Sequence, residues 1–326
     1  MNLILTHTGS YPRIGDKAEL QILRTTTALW ERGQKTFAEL EAARDAMTRL
    51  AIAEQVEAGL DLVTDGQIRW SDPISHIAGK LQGVSINGLL RFFDTNFYFR
   101  QPVVTDRLVR YRPMIVDEFL FARSVSLKPV KPVLTGPYTL AVFSIVQREE
   151  YKNLEKLVED YAGIVAEEVK ALAHAGAEVI QVDEPAVLRD DARFDLFASG
   201  VCKLAEAAGS AKLALYTYFG DAASMYSRLQ ELPADIIGID FTYNERLVEI
   251  IAVEGSSKPL GLGLVDGRNT KLESEERICQ ALEKLLPAIT SDYSYLNPSS
   301  GLEYLPRDRA FMKLKNMVEI GKRFQR

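Results

Sequence analysis

Val179-Ile180-Gln181-Val182-Asp183-Glu184-Pro185 is the stretch of this sequence that indicates its fold most clearly. Residues 179–182 form a short run typical of a buried strand, and two acids and a proline end it abruptly. Ala175-Gly176 precedes the run, and glycine at that place is typical of a helix end. Before this glycine, apolar side chains recur at helical spacing; the stripe comprises Leu154, Leu157, Val158, Tyr161, Ile164, Val165 and Leu172.

The same pattern of a short apolar run followed by polar or turn residues occurs eight times along the chain. The runs are residues 3–7, 60–63, 133–134, 179–182, 213–215, 236–239, 260–265 and 293–296. Strands that alternate with helices pair in parallel, and eight such units close a barrel. The sequence therefore predicts the α/β class and a (β/α)8 TIM barrel. No linker or low-complexity tract divides the chain, so we expect residues 1–326 to form a single domain.

One insertion interrupts the repeat between the second and third units, at about residues 83–106. Its middle part, residues 91–100, alternates enough to predict a β-hairpin and is rich in phenylalanine. Two positions for this hairpin remain open: an extra packing layer at the bottom of the barrel, or an aromatic lid over its mouth.

Composition excludes several classes of function. The 326 residues include 39 basic and 45 acidic residues, a formal net charge of −6, which argues against nucleic acid as a partner. No apolar run approaches the ~20 residues of a membrane span, and the N-terminus lacks the basic region of a signal peptide. Cys202 and Cys279 have no partner motif. We therefore expect a cytoplasmic protein without membrane contacts.

The polar residues that end the eight runs are the candidate functional residues, because TIM-barrel active sites form at the C-terminal ends of the strands. Some of them are expected to cap helices or close turns instead. A carboxylate at such a strand end suits an ammonium group or a proton transfer. The set comprises Ser10, Arg13, Asp65, Gln67, Asp183, Glu184, Tyr216, Tyr218, Asp240, Asp266, Arg268, Asn297 and Ser300.

The three histidines argue against the common metal sites. His7, His76 and His174 are not paired with another histidine or a cysteine at ligand spacing.

Five motifs occur in the order and spacing of a known family: Gly9-Ser10-Tyr11-Pro12-Arg13-Ile14-Gly15, Thr64-Asp65-Gly66-Gln67, Leu134-Thr135-Gly136-Pro137, Gln181-Val182-Asp183-Glu184-Pro185-Ala186 and Leu296-Asn297-Pro298. Together they resemble cobalamin-independent methionine synthase, in particular short single-barrel forms that correspond to its catalytic half. The resemblance covers nearly the whole chain. It implies methyl transfer to homocysteine from methyltetrahydrofolate or, in some short forms, from a methylated corrinoid protein.

In that family zinc activates the acceptor thiol, since a metal-bound sulfur is deprotonated at neutral pH. The positions that match the zinc ligands of the family are Tyr216, Tyr218, Asp240 and Ser300 in this sequence. Phenols, a hydroxyl and one carboxylate do not make a tetrahedral site of nitrogen and sulfur donors. We therefore expect that no zinc binds there.

The resemblance also assigns substrate contacts. Ser10, Asp183 and Glu184 would hold the amino-acid part of the acceptor, and Gln67 stands where the family has a glutamate that contacts the ammonium group. Phe143 stands at the position of the tryptophan that stacks on the pterin. The remaining residues assigned to substrate binding are Arg13, Arg268, Asn297 and Ser300, and those assigned to catalysis are Asp183, Asp240, Tyr216 and Tyr218.

Three functions stay open. The chain could be a methyltransferase that uses homocysteine or a related thiol without zinc. It could be a metal-independent enzyme that catalyses a different reaction on a small anionic substrate. The residues suited to that are Arg13, Asp183, Asp240, Tyr216 and Arg268. It could also be a non-catalytic binding subunit, as the non-catalytic half of the long enzymes is.

Overall fold

The computed structural model describes residues 2–325. Its strands are β1 (Asn2–Leu5), β2 (Gln82–Arg91), β3 (Tyr98–Val109), β4 (Val133–Thr135), β5 (Ile145–Val146), β6 (Val179–Asp183), β7 (Lys212–Thr217), β8 (Ile236–Asp240), β9 (Leu260–Val265) and β10 (Tyr293–Pro298). Seven of them form one parallel sheet in the order β1-β10-β9-β8-β7-β6-β4. The predicted α/β, TIM-barrel-like architecture is confirmed.

The second predicted strand is reduced to isolated bridges. Leu62 pairs with Thr6 and Val63 pairs with Val130, both in parallel, so this segment connects the β1 edge of the sheet to the β4 edge. The run is short because Gly66 and Gln67, just beyond it, have φ of 69° and 51°. Left-handed backbone cannot continue a strand.

Along the chain, helices alternate with the strands of the sheet. They are α1 (Ile22–Glu31), α2 (Phe37–Ala58), α3 (Ser75–Ala78), α4 (Val116–Val125), α5 (Pro137–Val142), α6 (Leu154–His174), α7 (Phe194–Ala208), α8 (Tyr226–Glu231), α9 (Leu247–Glu254), α10 (Glu275–Ala288) and α11 (Arg307–Gly321). The predicted stripe of α6 is buried from Leu157 to Leu172, while Leu154 is partly buried. None of the helices within residues 2–325 has the length and apolar character that a membrane crossing requires.

The predicted hairpin insertion is confirmed as β2 and β3, which pair antiparallel, with β5 added beside β3. Phe92 and Phe93 at its tip are buried. They contact Phe143, which follows α5, and Phe219, which follows β7. Both partners lie beyond the C-terminal ends of barrel strands, so the tip covers the mouth of the barrel.

Tyr216 fills the interior of the barrel beside two glycines. Its side chain is buried with Leu62, Ala214, Ile236 and Tyr295. A Cβ atom added at Gly238 of β8 would collide with the Tyr216 ring, and one at Gly261 of β9 would collide with its hydroxyl group. Because Gly238 and Gly261 have no side chain, these two positions leave room for the phenol.

Gly238→Ala is expected to destabilise the protein by about 1–3 kcal/mol, the usual cost of overpacking a buried site. Gly163→Ala is the matched control, because a Cβ atom there meets nothing within 4 Å on the exposed face of α6. It should stabilise by about 0.5–1 kcal/mol through helix propensity. Urea unfolding measures both. Equal stability of the two variants would contradict this account of the barrel interior.

Candidate active site

Asp183 is a buried carboxylate at the C-terminal end of β6. One of its oxygens, Oδ1, accepts a hydrogen bond from Gln181 Nε2 at 2.7 Å, and Oδ2 accepts one from the Tyr218 hydroxyl at 3.1 Å. Burial raises the pKa of Asp183 to about 7, against the two hydrogen bonds and the positive charge of Lys131, which hold it down. Asp183 can therefore change charge near neutral pH.

Lys131 is a residue of this site that sequence reasoning missed. It precedes β4, is fully buried, and donates from Nζ to Gln181 Oε1 at 2.6 Å. Burial lowers the pKa of Lys131 to about 7. Lysines are rarely buried unless they are paired, so a lysine at the start of a strand is normally expected in solvent.

Glu184 is the buried carboxylate that follows Asp183, and it is held by donors from α5. Oε1 accepts a hydrogen bond from Tyr138 N, and Oε2 accepts from the backbone N and the hydroxyl of Thr139, all at 2.6–2.9 Å. Its carboxylate is therefore committed to the N-terminus of α5, where unpaired N–H groups attract an anion. Burial raises the pKa of Glu184 to about 7 against these donors. The geometry shows that Glu184 braces α5 beside the site, and its contact with a substrate stays a prediction.

Tyr216 and Asn297 lie in the barrel interior, and Tyr216 is the register partner of Asp183 on the neighbouring strand β7. The Tyr216 hydroxyl donates to Asn297 Oδ1 at 3.3 Å, and Asn297 Nδ2 donates to its neighbour's carbonyl, Pro298 O, at 2.8 Å. Burial raises the pKa of Tyr216 well above its ordinary value. Tyr216 thus stays a neutral phenol in the barrel interior beside Asp183.

Tyr218 is the one of the two tyrosines that reaches Asp183. Its ring lies against Phe219 with centroids 4.7 Å apart. Burial and the adjacent Asp183 carboxylate raise the pKa of Tyr218 well above its ordinary value. A phenol with so high a pKa donates a hydrogen bond but does not act as a base.

Asp240 and Arg268 hold the loops that follow β8 and β9. Asp240 accepts hydrogen bonds from the backbone N–H groups of Phe219 and Thr242, and burial raises its pKa to about 6. Arg268 donates to the Tyr243 hydroxyl at 2.7 Å and lies over the Tyr243 ring. These contacts fix Phe219 and Tyr243 near the mouth.

Ser10, Gln67 and Ser300 lie at the ends of the first, second and eighth barrel strands, and all three are buried. Gly301 packs so closely on Ser10 that an added Cβ atom would collide with the serine hydroxyl. Leu302 N also donates to Ser10 O at 2.7 Å. The Ser300 hydroxyl has a long contact with Gly301 O at 3.3 Å. The strand ends therefore meet tightly at this side of the mouth.

A cavity of about 860 Å³ lies beside the loop that follows β1, and its lining residues do not include Asp183, Ser10, Gln67 or Ser300. Arg13 lines it and donates from one guanidinium nitrogen to Trp70 O. Trp70, Phe97 and Tyr304 supply aromatic walls, and Arg24 lies on its edge. The volume is that of a small-molecule pocket, and its walls combine aromatic and cationic groups.

The tip of the hairpin covers Phe143. The Phe93 and Phe143 rings have centroids 5.4 Å apart, and the Arg189 guanidinium lies 4.2 Å from the Phe93 centroid. Phe93 and Phe219 both have left-handed backbone, with φ of 52° and 64°. Non-glycine residues in that region are uncommon and concentrate at functional sites.

The four residues at the positions of the family's zinc ligands do not fit a zinc ion. Tyr216 and Tyr218 are phenols whose raised pKa disfavours a metal-binding phenolate, and both hydroxyls have other partners. Asp240 is engaged by the loops, and Ser300 offers a neutral hydroxyl. Across residues 2–325, no three or more His, Cys, Asp or Glu side chains come together as a metal-binding group.

Comparisons with known proteins give a consistent picture. The family model described as the catalytic domain of cobalamin-independent synthase matches residues 3–323. The methionine synthase of Saccharolobus solfataricus is 34% identical over 315 residues, which cover 95% of this chain and 91% of that protein. The methionine synthase of Sulfurisphaera tokodaii is 33% identical over 313 residues, with coverages of 95% and 89%.

Solved structures are similar in fold. A B12-independent methionine synthase from a Shewanella species, in complex with selenomethionine, superposes with a TM-score of 0.81 at 22% identity, covering 99% of this chain and 98% of that chain. A putative vitamin-B12-independent methionine synthase from Listeria monocytogenes gives a TM-score of 0.78 at 18% identity and covers the whole of both chains.

Glu184→Gln is expected to lower the free energy of unfolding by about 1–3 kcal/mol, because the new amide nitrogen would face buried N–H donors. Glu178→Gln, an exposed acid before β6, is the matched control and should change stability by less than about 0.5 kcal/mol. Urea unfolding at pH 8 tests the pair. Unchanged stability of Glu184→Gln, combined with loss of ligand binding, would return Glu184 to the role of a ligand contact.

Proposed function

Because the chain belongs to the cobalamin-independent synthase catalytic-domain family, we propose that this methyltransferase methylates homocysteine or a related amino-acid thiol without the usual zinc. The observation that carries the proposal is the Asp183 carboxylate. It is buried, held by two donors, and placed where the matched strand ends converge at the mouth of the barrel.

Asp183 suits the ammonium group of an amino acid. Each of its two oxygens has one hydrogen-bond donor from the protein, and a carboxylate oxygen can accept two. A charge-assisted bond to an ammonium group in a dry site is strong. Ser10 and Gln67 are the other residues proposed to contact the amino-acid part of the acceptor, and Glu184 acts by bracing α5.

The reaction needs the acceptor as a thiolate. The sulfur–methyl bond forms as the bond between the methyl group and the donor nitrogen breaks; the thiol proton leaves, and the donor takes up a proton. A thiol with a pKa of about 8.5 is only a few per cent thiolate at pH 7. Tyr216 and Tyr218 do not help as bases, since their pKa values are well above 10. We infer that the thiol loses its proton to solvent.

The donor is proposed to be a methyltetrahydrofolate. The family description, cobalamin-independent, favours a folate over the methylated corrinoid protein. The cavity of about 860 Å³ supports this choice, because Phe97 and Tyr304 give it aromatic surface while Arg13 and Arg24 suit carboxylates.

A second candidate function is a different, metal-independent reaction on a small anionic substrate. The arginines of the same cavity favour it. In that case the cavity binds the substrate itself and the reaction takes place there, away from Asp183, which is not among the residues that line this cavity. If ligands bind to the protein but are not converted, the protein is instead a non-catalytic binding subunit.

Two properties of the whole chain complete the proposal. We propose that residues 1–326 act as one domain, since one cluster of buried apolar side chains extends from Leu3 to Ile320. We also propose a cytoplasmic location, since Cys202 and Cys279 are both free thiols.

Asp183→Asn is expected to weaken homocysteine binding at pH 8 by at least tenfold, because the amide carries no charge to pair with the ammonium group. Calorimetric titration measures the affinity. Glu178→Gln serves again as control and should bind as the wild type does. Undetectable binding of homocysteine and of methyltetrahydrofolate by the wild type would favour the second candidate function.

The rate of methyl transfer should rise with pH. Between about pH 7 and 8.5, kcat/KM should increase about 15-fold in all as the thiolate fraction grows from roughly 3% to roughly 50%. Below pH 7 the rise should be steeper, since Asp183 must also lose its proton to bind the ammonium group. A pH–rate profile measures this. A plateau that already begins near pH 6.5 would show that the site lowers the thiol pKa and would contradict proton loss to solvent.

A further inference from the structure

Lys131 is a buried amine that the mechanism above does not use, and the nearby Asp183 carboxylate favours its charged form. It follows Val130, which bridges to the second unit, and precedes β4. Its side chain is only 2% exposed, and Nζ lies 4.9 Å from the centroid of the Tyr216 ring. Burying a lysine costs several kcal/mol unless a compensating charge is near, so its position requires a physical reason.

One amide joins Lys131 to Asp183. Gln181 Oε1 accepts a hydrogen bond from Lys131 Nζ at 2.6 Å, and Gln181 Nε2 donates one to Asp183 Oδ1 at 2.7 Å. The same Nε2 group also donates to Thr8 O. All three side chains are buried. Turning the amide around would place its NH2 group against the ammonium, so the cation fixes the orientation in which Gln181 presents a donor to Asp183.

We propose that Lys131 is a positioning residue for the acceptor's ammonium group: through Gln181 it keeps the Asp183 carboxylate ionised and turned toward the ligand. This inference rests on the proposed function, in which Asp183 binds an amino-acid ammonium. It adds one charged group to the site, which acts on the ligand only through Gln181 and Asp183.

The other charged and titratable groups around Asp183 do not supply this compensation. Tyr218 and Tyr304 are phenols with raised pKa, and Glu184 would only repel a second carboxylate. His7, near Lys131, has its pKa lowered by burial to about 3 and is neutral. Lys131 is thus the cation that acts on Asp183, and their charges favour each other.

The test uses two ligands that differ in one group: methionine, which has no titrating thiol, and its deamino analogue 4-(methylthio)butanoate. Lys131→Met removes the charge and keeps an unbranched side chain. Its Kd for methionine should rise at least tenfold at pH 7, since each unit of increase in the Asp183 pKa costs a factor of ten below that pKa. The Kd for the deamino analogue should stay within about twofold, and methionine affinity should recover towards pH 9.

Two further variants complete the design. Lys258→Met is the matched control, because Lys258 Nζ donates to carbonyl oxygens before β8, on the opposite end of the strand from the site. It should leave both affinities unchanged. Gln181→Leu removes the amide that joins Lys131 to Asp183 and should weaken methionine binding selectively, as Lys131→Met does. This second variant keeps the test valid if Lys131→Met does not fold.

Equal weakening of both ligands, or weakening that does not recover at high pH, would overturn the inference and leave Lys131 a structural residue. The inference is also separable from the proposed function. Carbon-13 NMR of the Asp183 carboxyl without any ligand should show a higher pKa in Lys131→Met than in the wild type. An unchanged pKa would overturn the role of Lys131, whereas a wild type that binds neither methionine nor homocysteine would overturn the proposed function.

Discussion

A charged carboxylate inside a barrel has to find its hydrogen-bond donors within the fold. Asp183 receives its two hydrogen bonds from Gln181 on the same strand and from Tyr218 just beyond β7. Lys131, just before β4, acts on it through Gln181. Parallel pairing of β4, β6 and β7 in one register brings them together. The site therefore depends on the strand order of the sheet, and the bridges at Leu62 and Val63 join its two edges.

The mouth of the barrel is arranged around aromatic contacts. The tip of the β2–β3 hairpin packs Phe92 and Phe93 on Phe143 and Phe219. Asp240 holds Phe219 in place through its backbone N–H group. A residue that stands where the family has a metal ligand thus supports the cover of the site. This change of role is consistent with methyl transfer in which no metal ion activates the thiol.

Much of the fold could be predicted from the sequence, because the repeat of apolar runs and helix ends is periodic and local. The hairpin was also predicted, but the alternating stretch of residues 91–100 is mostly its turn, and its strands extend on either side, over Gln82–Arg91 and Tyr98–Val109. Its position over the mouth required the contacts of Phe92 and Phe93. The second barrel strand was overestimated: periodicity does not show that left-handed backbone at Gly66 and Gln67 cuts it short.

The candidate site was harder to predict: adjacent side chains at a strand end point to opposite sides, but the sequence does not reveal which of them faces the site. Asp183 and Glu184 are neighbours in sequence, yet one lies in the site and the other braces α5. Tyr216 and Tyr218 are two residues apart, and only Tyr218 contacts Asp183 within the described hydrogen bonds. Lys131 had no sequence signal, because its burial follows from the closeness of Gln181 and the Tyr216 ring.

Methyl transfer by metal-stripped protein tests the central claim most directly. The wild type would be treated with a strong chelator, its residual zinc quantified, and methionine formation followed from homocysteine and isotopically labelled methyltetrahydrofolate. The account predicts methionine formation at the same rate before and after metal removal, with far less than one zinc per chain. Activity that disappears on chelation and returns with one equivalent of zinc would contradict it.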